Sequence, residues 1–210
     1  IEPNKLTTAQ WLKEWLTVYK MPHIRPKTYE QYESAIRVHI IPYVGEIKLQ
    51  HLQARQIQEM YSSLTKKGLS PRSIYLVHLV LRMALDQAQK ERYITVNPVK
   101  LTDPPKVKKK TAQVMSIEEQ NAFLEALKGE RLAPVFLFLI TTGVRRGEAL
   151  GLKWSDITTD KDGTLIANIR RSVVRAKDPT GKVKTKILIQ DTKTEKSKRQ
   201  IPVSEFMAEV

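Results

Sequence analysis

The spacing of apolar residues predicts four helices in the first half of the chain. Thr7 or Thr8 can cap the first helix, and Ser70 followed by Pro71 is a strong start signal for the fourth. Gly68, which follows two lysines, is suited to end the third helix. The apolar positions that define the helices are Trp11, Leu12, Trp15, Leu16 and Tyr19; Tyr29, Tyr32, Ile36 and Ile40; Ile57, Met60, Tyr61 and Leu64; and Ile74, Val77, Leu81, Ala84, Leu85 and Ala88.

The second half of the chain begins with helices and continues with strands. Ser116 and Glu119 form a capping-box pattern at the head of one helix. The apolar run 135–140 predicts about two turns of buried helix after it. Beyond residue 157 the pattern favours strands near 165–174, 187–189 and 200–203, the last at a sheet edge because it contains Pro202. The predicted fold is mainly α with a small antiparallel β-sheet (α+β).

The composition favours a polyanionic partner. Lys and Arg number 36 against 22 acidic residues, for a net charge of +14, and most of this surplus lies in residues 1–110. Nucleic acid is therefore favoured over a membrane surface, and charge alone also fits an RNA-binding protein. The absence of cysteine excludes disulfides, thiol nucleophiles and cysteine metal sites. No apolar run approaches the roughly 18 residues of a membrane span, so we expect a cytoplasmic protein without a membrane partner.

A proline- and lysine-containing segment divides the two halves. We predict a helical domain over 1–96, a basic linker over 97–113 and a second domain over 114–210. Prolines stiffen such a linker and its lysines keep it extended. A linker that lies along DNA phosphates and a merely solvated tether have the same composition, so both remain open.

The segment 141–157 holds the strongest candidate chemistry. The apolar helix is expected to end at Gly143, and Arg145 and Arg146 follow at the edge of the core. A guanidinium held by Glu148 is suited to phosphate oxygens, although a local ion pair at a helix end explains the same residues. Three apolar residues are expected to anchor the segment in the core: Leu150, Leu152 and Trp154.

Residues 142–157, TGVRRGEALGLKWSDI, resemble the first catalytic-arginine motif of the tyrosine recombinases, the phage-integrase family. By this resemblance Arg145 is the catalytic arginine, Arg146 occupies a variable position and Glu148 is the acidic residue that supports the site. Integrases of conjugative transposons and temperate phages are the most similar type. The family's core-binding domain also resembles the helical half of the chain.

A second resemblance lies in residues 191–204, DTKTEKSKRQIPVS. They are similar to the family's lysine-bearing hairpin, in which Thr-Lys-Thr is followed by Arg-x-Ile-Pro. The resemblance implies that Lys193 is the catalytic lysine, a general acid toward the leaving 5′-oxygen. Lys196 and Lys198 lie close enough to leave the register open, and most charged hairpin tips are simply solvated.

The resemblance implies a site-specific recombinase that clamps duplex DNA and exchanges strands through a 3′-phosphotyrosyl intermediate. It implies no metal or other cofactor, and the partners it implies are a double-stranded recombination site and other subunits in a tetramer. The expected location is the nucleoid of a bacterial cell. The residues that we expect to contact DNA are Lys27, Thr28, Lys66, Lys67, Arg72, Lys108, Lys109, Arg146 and Arg170.

The family also requires a His-x-x-Arg box and a nucleophilic tyrosine downstream of the lysine. In this chain the last histidine is His78 and the last tyrosine is Tyr93. We therefore expect a fragment that contains the core-binding domain and the first part of the catalytic domain, inactive alone. The alternative is a non-catalytic DNA-binding or architectural protein of the same fold.

Overall fold

The computed structural model describes residues 5–108, 111, 113–177, 184–191 and 197–204. The chain divides into two compact units, Ile1–Lys110 and Thr111–Val210, which we call the helical unit and the second unit. The helical unit contains α1 (Thr8–Glu14), α2 (Pro26–Ser34), α3 (Ile41–Val44), α4 (Ala54–Lys66) and α5 (Pro71–Lys90). Segments of π-helix, Trp15–Lys20 and Ala35–Ile40, extend α1 and α2, and 3-10 turns occupy Met21–His23, Leu49–His51 and Pro98–Leu101.

The predicted caps of the helical unit are confirmed. The hydroxyl oxygens of Thr7 and Ser70 each accept a hydrogen bond, 3.2 Å long, from the third residue of the helix that follows. Gly68 has φ 81°, the left-handed conformation that glycine adopts without strain. Helix α2 begins at Pro26, the first helical position, where a missing N–H costs nothing.

The apolar stripes of these helices form one core. Trp11, Trp15 and Tyr61 are each no more than 1% exposed and lie in a single buried cluster, against which Tyr29 and Tyr32 of α2 pack partly buried. The indole Nε1 of Trp11 donates to the carbonyl oxygen of Ala84 at 2.9 Å, so its polar atom is satisfied inside the core. The aromatic residues of the first helix therefore pack the core.

The first part of the predicted linker belongs to the helical unit. The side-chain Nδ2 of Asn97 donates to the Arg82 carbonyl oxygen at 3.0 Å and to the Asp86 carboxylate at 2.9 Å. Val99 is completely buried, and Thr102 is buried beside it. The linker prediction was therefore wrong for residues 97–102, because apolar Val99 and the hydrogen-bonding Asn97 attach them to α5. The other domain limits stay a prediction.

The second unit places three helices before its strands. The helices are α6 (Ile117–Ala126), α7 (Ala133–Thr142) and α8 (Arg146–Ala149), and a 3-10 turn follows at Trp154–Asp156. The strands are β1 (Ile157–Thr159), β2 (Leu165–Ile169), β3 (Arg171–Lys177), β4 (Thr185–Asp191) and β5 (Arg199–Pro202). The capping box at Ser116 is confirmed, since the Ser116 hydroxyl accepts from the Glu119 N–H and the Glu119 carboxylate accepts from the Ser116 N–H.

The strands form two antiparallel sheets. One has the order β1-β2-β5 and the other pairs β3 with β4. The single strand predicted over 165–174 is divided at Arg170, and β4 and β5 pair with different partners, so the described residues do not form the predicted hairpin between them. The edge position of Pro202 is confirmed, because β5 lies at the end of its sheet.

The second unit has a small apolar core in its described residues. The buried cluster consists of Val144, Ala167 and Ile169, and Leu152 packs partly buried against it. Two predicted anchors were wrong, since Leu150 is 57% exposed and Trp154 is 94% exposed. The 3-10 turn buries Asp156 at its other end, which directs Trp154 outward.

Helix α7 is also less buried than predicted. Leu137 is its only buried residue, whereas Val135, Phe136 and Ile140 are all about two-fifths exposed. Phe138 and Leu139 pack partly buried against the small apolar core, so α7 is covered on one side rather than fully enclosed. None of the described helices combines the length and the hydropathy needed to cross a membrane.

Candidate active site

The candidate site begins where α7 ends. Gly143 has φ 63°, and its N–H donates to the Leu139 carbonyl oxygen at 3.0 Å, which closes the helix in the predicted left-handed cap. Val144 then enters the small core, and Arg145 follows in extended conformation. The side chain of Arg145 is 75% exposed. A buried valine thus fixes the backbone directly before a guanidinium that faces solvent.

Glu148 holds Arg145 from one helical turn away. Its carboxylate accepts from the Arg145 backbone N–H at 3.0 Å and from Arg145 Nη1 at 2.9 Å. The Glu148 side chain is only 4% exposed. The expected pairing of the two residues is therefore confirmed. Their catalytic roles stay a prediction.

A second guanidinium reaches the same carboxylate from β5. Arg199 Nη2 donates to Glu148 Oε2 at 2.9 Å, and Arg199 Nη1 donates to the Ser197 carbonyl oxygen at 3.2 Å. Arg145, Arg199, Gly143 and Ser197 line a cavity of about 330 Å³. Sequence reasoning assigned no site role to Arg199, although the Arg-x-Ile-Pro pattern contains it.

The environment of Glu148 keeps it ionised. Burial tends to raise the pKa of this carboxyl, but hydrogen bonds from Arg199 and Arg145 outweigh burial and lower the pKa from 4.5 to about 2. Arg199 is the largest of the lowering causes. The site therefore contains a permanent negative charge between two permanent positive charges at neutral pH.

Two glycines let this turn approach β3 closely. A Cβ at Gly147 would lie 2.5 Å from Ser172 Oγ and 2.9 Å from the Val173 carbonyl oxygen. A Cβ at Gly151 would lie 3.1 Å from the Arg171 carbonyl oxygen. A side chain at position 147 would push α8, and Glu148 with it, away from the sheet. The spacing of these glycines was visible in the sequence, but its meaning depends on β3.

A further buried ion pair connects the end of the motif to the same strand. Arg171 donates to both carboxylate oxygens of Asp156, at 2.8 and 3.1 Å, and Asp156 is 3% exposed. The Asn168 amide donates to the Asp156 carbonyl oxygen at 2.9 Å. This bidentate contact holds the segment after α8 against the start of β3.

Two other predicted site residues of the second unit are exposed, and a third lies outside the described residues. Arg146 is exposed on α8. Arg170 is exposed between β2 and β3, where it lines a cavity of about 610 Å³ with Lys198 and Arg199. Lys193, the predicted catalytic lysine, lies outside the described residues, so its position relative to Arg145 stays a prediction.

The turn between α4 and α5 carries three of the predicted DNA contacts. Lys66 and Arg72 are exposed, on either side of Gly68. Lys67 is also exposed, and its Nζ lies 5.0 Å from the centre of the Tyr43 ring. Arg72 lines a groove of about 810 Å³ in the helical unit, which Lys106 lines as well. This region thus presents several cations at helix ends.

The remaining predicted contacts of the helical unit differ in their surroundings. Lys27 is paired with Glu30 at 2.8 Å, which offsets part of its charge. Thr28 is partly buried in the first turn of α2, and Lys108 is exposed near the end of the unit. Lys109 lies outside the described residues.

Comparisons with known proteins find a related family, a related sequence and similar folds. Residues 7–65 match the family described as phage integrase, N-terminal SAM-like domain. A XerC-like tyrosine recombinase of Caldanaerobacter subterraneus subsp. tengcongensis is 31% identical over 97% of this chain and 54% of its own length. The chain therefore spans about half of that relative.

Two solved structures show the same fold. The Tn1549 transposon integrase in complex with a circular intermediate DNA has a TM-score of 0.79 at 18% identity, covering 97% of this chain and 63% of the other. A lambda integrase dimer bound to a COC′ core site has a TM-score of 0.66 at 25% identity, covering 78% of this chain and 49% of the other. The predicted fold class is confirmed.

Proposed function

This chain belongs to the tyrosine recombinase family, and from that premise we propose that it serves a site-specific DNA recombinase by clamping duplex DNA and presenting Arg145 to the scissile phosphate. The observation that carries the proposal is the exposed Arg145 guanidinium oriented by the buried Glu148 carboxylate. A planar guanidinium fixed on one side has its remaining N–H groups free to pair with two phosphate oxygens.

The proposed chemistry is phosphoryl transfer without a metal or a nucleotide. A tyrosine attacks the phosphate and keeps the bond energy in a 3′-phosphotyrosyl link, while Arg145 stabilises the charge on the nonbridging oxygens. One such preorganised donor contributes on the order of 3 kcal/mol to the transition state. Lys193 is proposed as the general acid that protonates the leaving 5′-oxygen.

The proposed partner is a double-stranded recombination site. The net charge of +14 and the cations around the turn between α4 and α5 support phosphate contacts there. The solved relatives named above bind a circular intermediate DNA and a COC′ core site. In the complete recombinase we expect a tetramer of subunits that acts at the bacterial nucleoid.

A non-catalytic DNA-binding protein is the second candidate. The net charge and the exposed cations of the turn between α4 and α5 support it as much as the first candidate, because they concern binding and not cleavage. Since the 210 residues contain no tyrosine after Tyr93 that could act as the nucleophile, we expect them alone to bind duplex DNA without cutting it.

Salt-dependent binding tests the shared part of both candidates. Fluorescence anisotropy with a labelled duplex should show affinity that falls roughly 100- to 1,000-fold between about 50 and 200 mM salt, because several phosphates are neutralised. An affinity that is insensitive to salt, or a preference for RNA over duplex DNA, would contradict DNA clamping.

Covalent trapping separates the two candidates. The complete product of the gene is incubated with a nicked duplex that traps the phosphotyrosyl link. We expect a trapped adduct that Arg145→Ala abolishes while binding changes less than about threefold, since one phosphate contact among several is lost. Arg131→Ala, an exposed arginine before α7, is the matched control and should still be trapped. A complete product that binds but is never trapped is the non-catalytic protein.

A further inference from the structure

Glu148 places one carboxylate between two guanidiniums. Its Oε1 accepts from Arg145 Nη1 at 2.9 Å, and its Oε2 accepts from Arg199 Nη2 at the same distance. The two arginines differ in exposure, with the Arg145 side chain 75% exposed and the Arg199 side chain 33% exposed. The carboxylate is therefore shared between a largely exposed cation and a partly buried one.

The charge of this trio decides what an incoming anion meets. A buried carboxylate paired with Arg145 alone would form a neutral ion pair, and a phosphate would gain little from approaching it. With Arg199 included, two positive charges and one negative charge leave a net positive charge beside the cavity that both arginines line. Because Glu148 is almost fully buried, solvent screens these charges less than it would at the surface.

We propose that Arg199 is a positioning residue, the counter-ion of Glu148 that leaves the charge of Arg145 available to a phosphate. In this proposal Arg199 holds the carboxylate through Oε2, while the Arg145 side chain is held through Oε1, and Arg199 does not itself bind the DNA. That the bound phosphate belongs to DNA rests on the proposed function. The counter-ion role of Arg199 applies to any phosphate that approaches Arg145.

The backbone around Arg199 suits this role. Arg199 is the first residue of β5, where it pairs with Ile169 of β2, and Ile169 is 1% exposed. Its Nη1 also donates to the Ser197 carbonyl oxygen. Arg199 is thus held both by the pairing of its strand and by the hydrogen bonds of its guanidinium, which fixes its position. The Arg145 guanidinium is exposed and accessible to a ligand.

Charge-compensation rescue tests the proposal. Inorganic phosphate is titrated into the chain while the side-chain Nε–Hε NMR signal of Arg145 is followed. Arg199→Met should weaken phosphate binding about tenfold, because Glu148 then neutralises Arg145. Adding Glu148→Gln to Arg199→Met should restore the affinity to within about threefold of the original, since the uncompensated negative charge is gone.

Two further variants control for folding. Arg131→Met removes an exposed guanidinium of the same unit that lies before α7, and it should leave the phosphate affinity of Arg145 unchanged. Arg199→Lys keeps the positive charge and should bind phosphate within about threefold of the original chain. This variant keeps the proposal testable if Arg199→Met fails to fold, because a tenfold loss with a folded lysine variant contradicts it.

The outcomes distinguish the alternatives. If the double variant binds phosphate as weakly as Arg199→Met, Arg199 contacts the anion directly and the proposal is wrong. If Arg199→Met has no effect, Arg199 is only structural and the proposal is also wrong. If phosphate follows the expected pattern but duplex DNA does not bind, the counter-ion role stands and the proposed function fails.

Discussion

The helical unit encloses whole aromatic side chains such as Trp11 and Trp15, whereas the buried cluster described in the second unit contains two aliphatic residues and an alanine. The second unit instead buries two carboxylates, Glu148 and Asp156, and each is paired with a guanidinium. Area removed from water stabilises the first unit, whereas in the second the removal of one partner of a buried ion pair would leave a costly unpaired charge.

This difference teaches where chemistry can be placed. In the helical unit the core could be repacked with little effect on exposed cations such as Lys66 and Arg72. In the second unit Glu148 both stabilises the turn and orients Arg145, so the group that holds the fold together is also part of the candidate site. Changes in stability and changes in function should therefore separate in the first unit and coincide in the second.

The largest expected effect compares the same truncation in the two units. Leu81 is completely buried and Leu150 is 57% exposed. Leu81→Ala should lower the free energy of unfolding of the helical unit by about 3 kcal/mol, because it leaves a cavity, whereas Leu150→Ala should cost less than about 1 kcal/mol. Hydrogen exchange in urea, resolved by unit, measures both. Equal costs would show that Leu150 belongs to a core and would remove the contrast.

A smaller loss of stability is expected in the second unit at low pH. The pKa of Glu148 is lowered from 4.5 to about 2, so its contribution is fully present above pH 4.5 and is lost as the pH falls toward 2. The loss in the second unit should be about 2 to 3 kcal/mol. Unfolding measured at several pH values, with Glu148→Gln as the variant that lacks this dependence, checks it. A variant that keeps the full dependence would assign the effect to another group.

The helical unit should respond to acid in a different window. Burial, with a smaller effect of Arg82, lowers the pKa of His78 below its usual 6.5, and His78 is hydrogen-bonded to the Tyr61 hydroxyl. The unfolded chain therefore takes up this proton first, and the helical unit should lose stability as the pH falls below 6.5. Unfolding followed separately in each unit against pH checks this. If both units lost stability over the same pH range, the expected difference between them would be contradicted.

The smallest expected effect comes from matched helix caps. Ser70 caps α5, which has eight buried residues, and Ser116 caps α6, which has none. Ser70→Ala should lower the free energy of unfolding of the helical unit by about 1 kcal/mol, whereas Ser116→Ala should mainly speed local exchange in α6. Amide exchange of the two helices measures this difference. A global loss in the second unit from Ser116→Ala would mean that α6 is integral to its stability.

Most of the helical unit could be predicted from the sequence. Its stripes, its caps at Thr7 and Ser70 and its glycine stop at Gly68 depend on neighbours within one or two turns. The error over 97–102 arose because the prolines suggest a linker, while the burial of Val99 depends on a surface formed by distant helices. The pairing of Arg145 with Glu148 was also predictable, because the residues are three apart.

The order of residues was sufficient for the left-handed end of α7 at Gly143 and for the ion pair beside it, because both close within a few positions. Only the tertiary structure brought Arg199 to Glu148, placed β3 against Gly147 and left Trp154 in solvent. The physical reason is that strand pairing joins residues far apart in the chain, and many registers suit the same alternation of apolar and polar residues. The register that the fold adopts decides which charges share the candidate site.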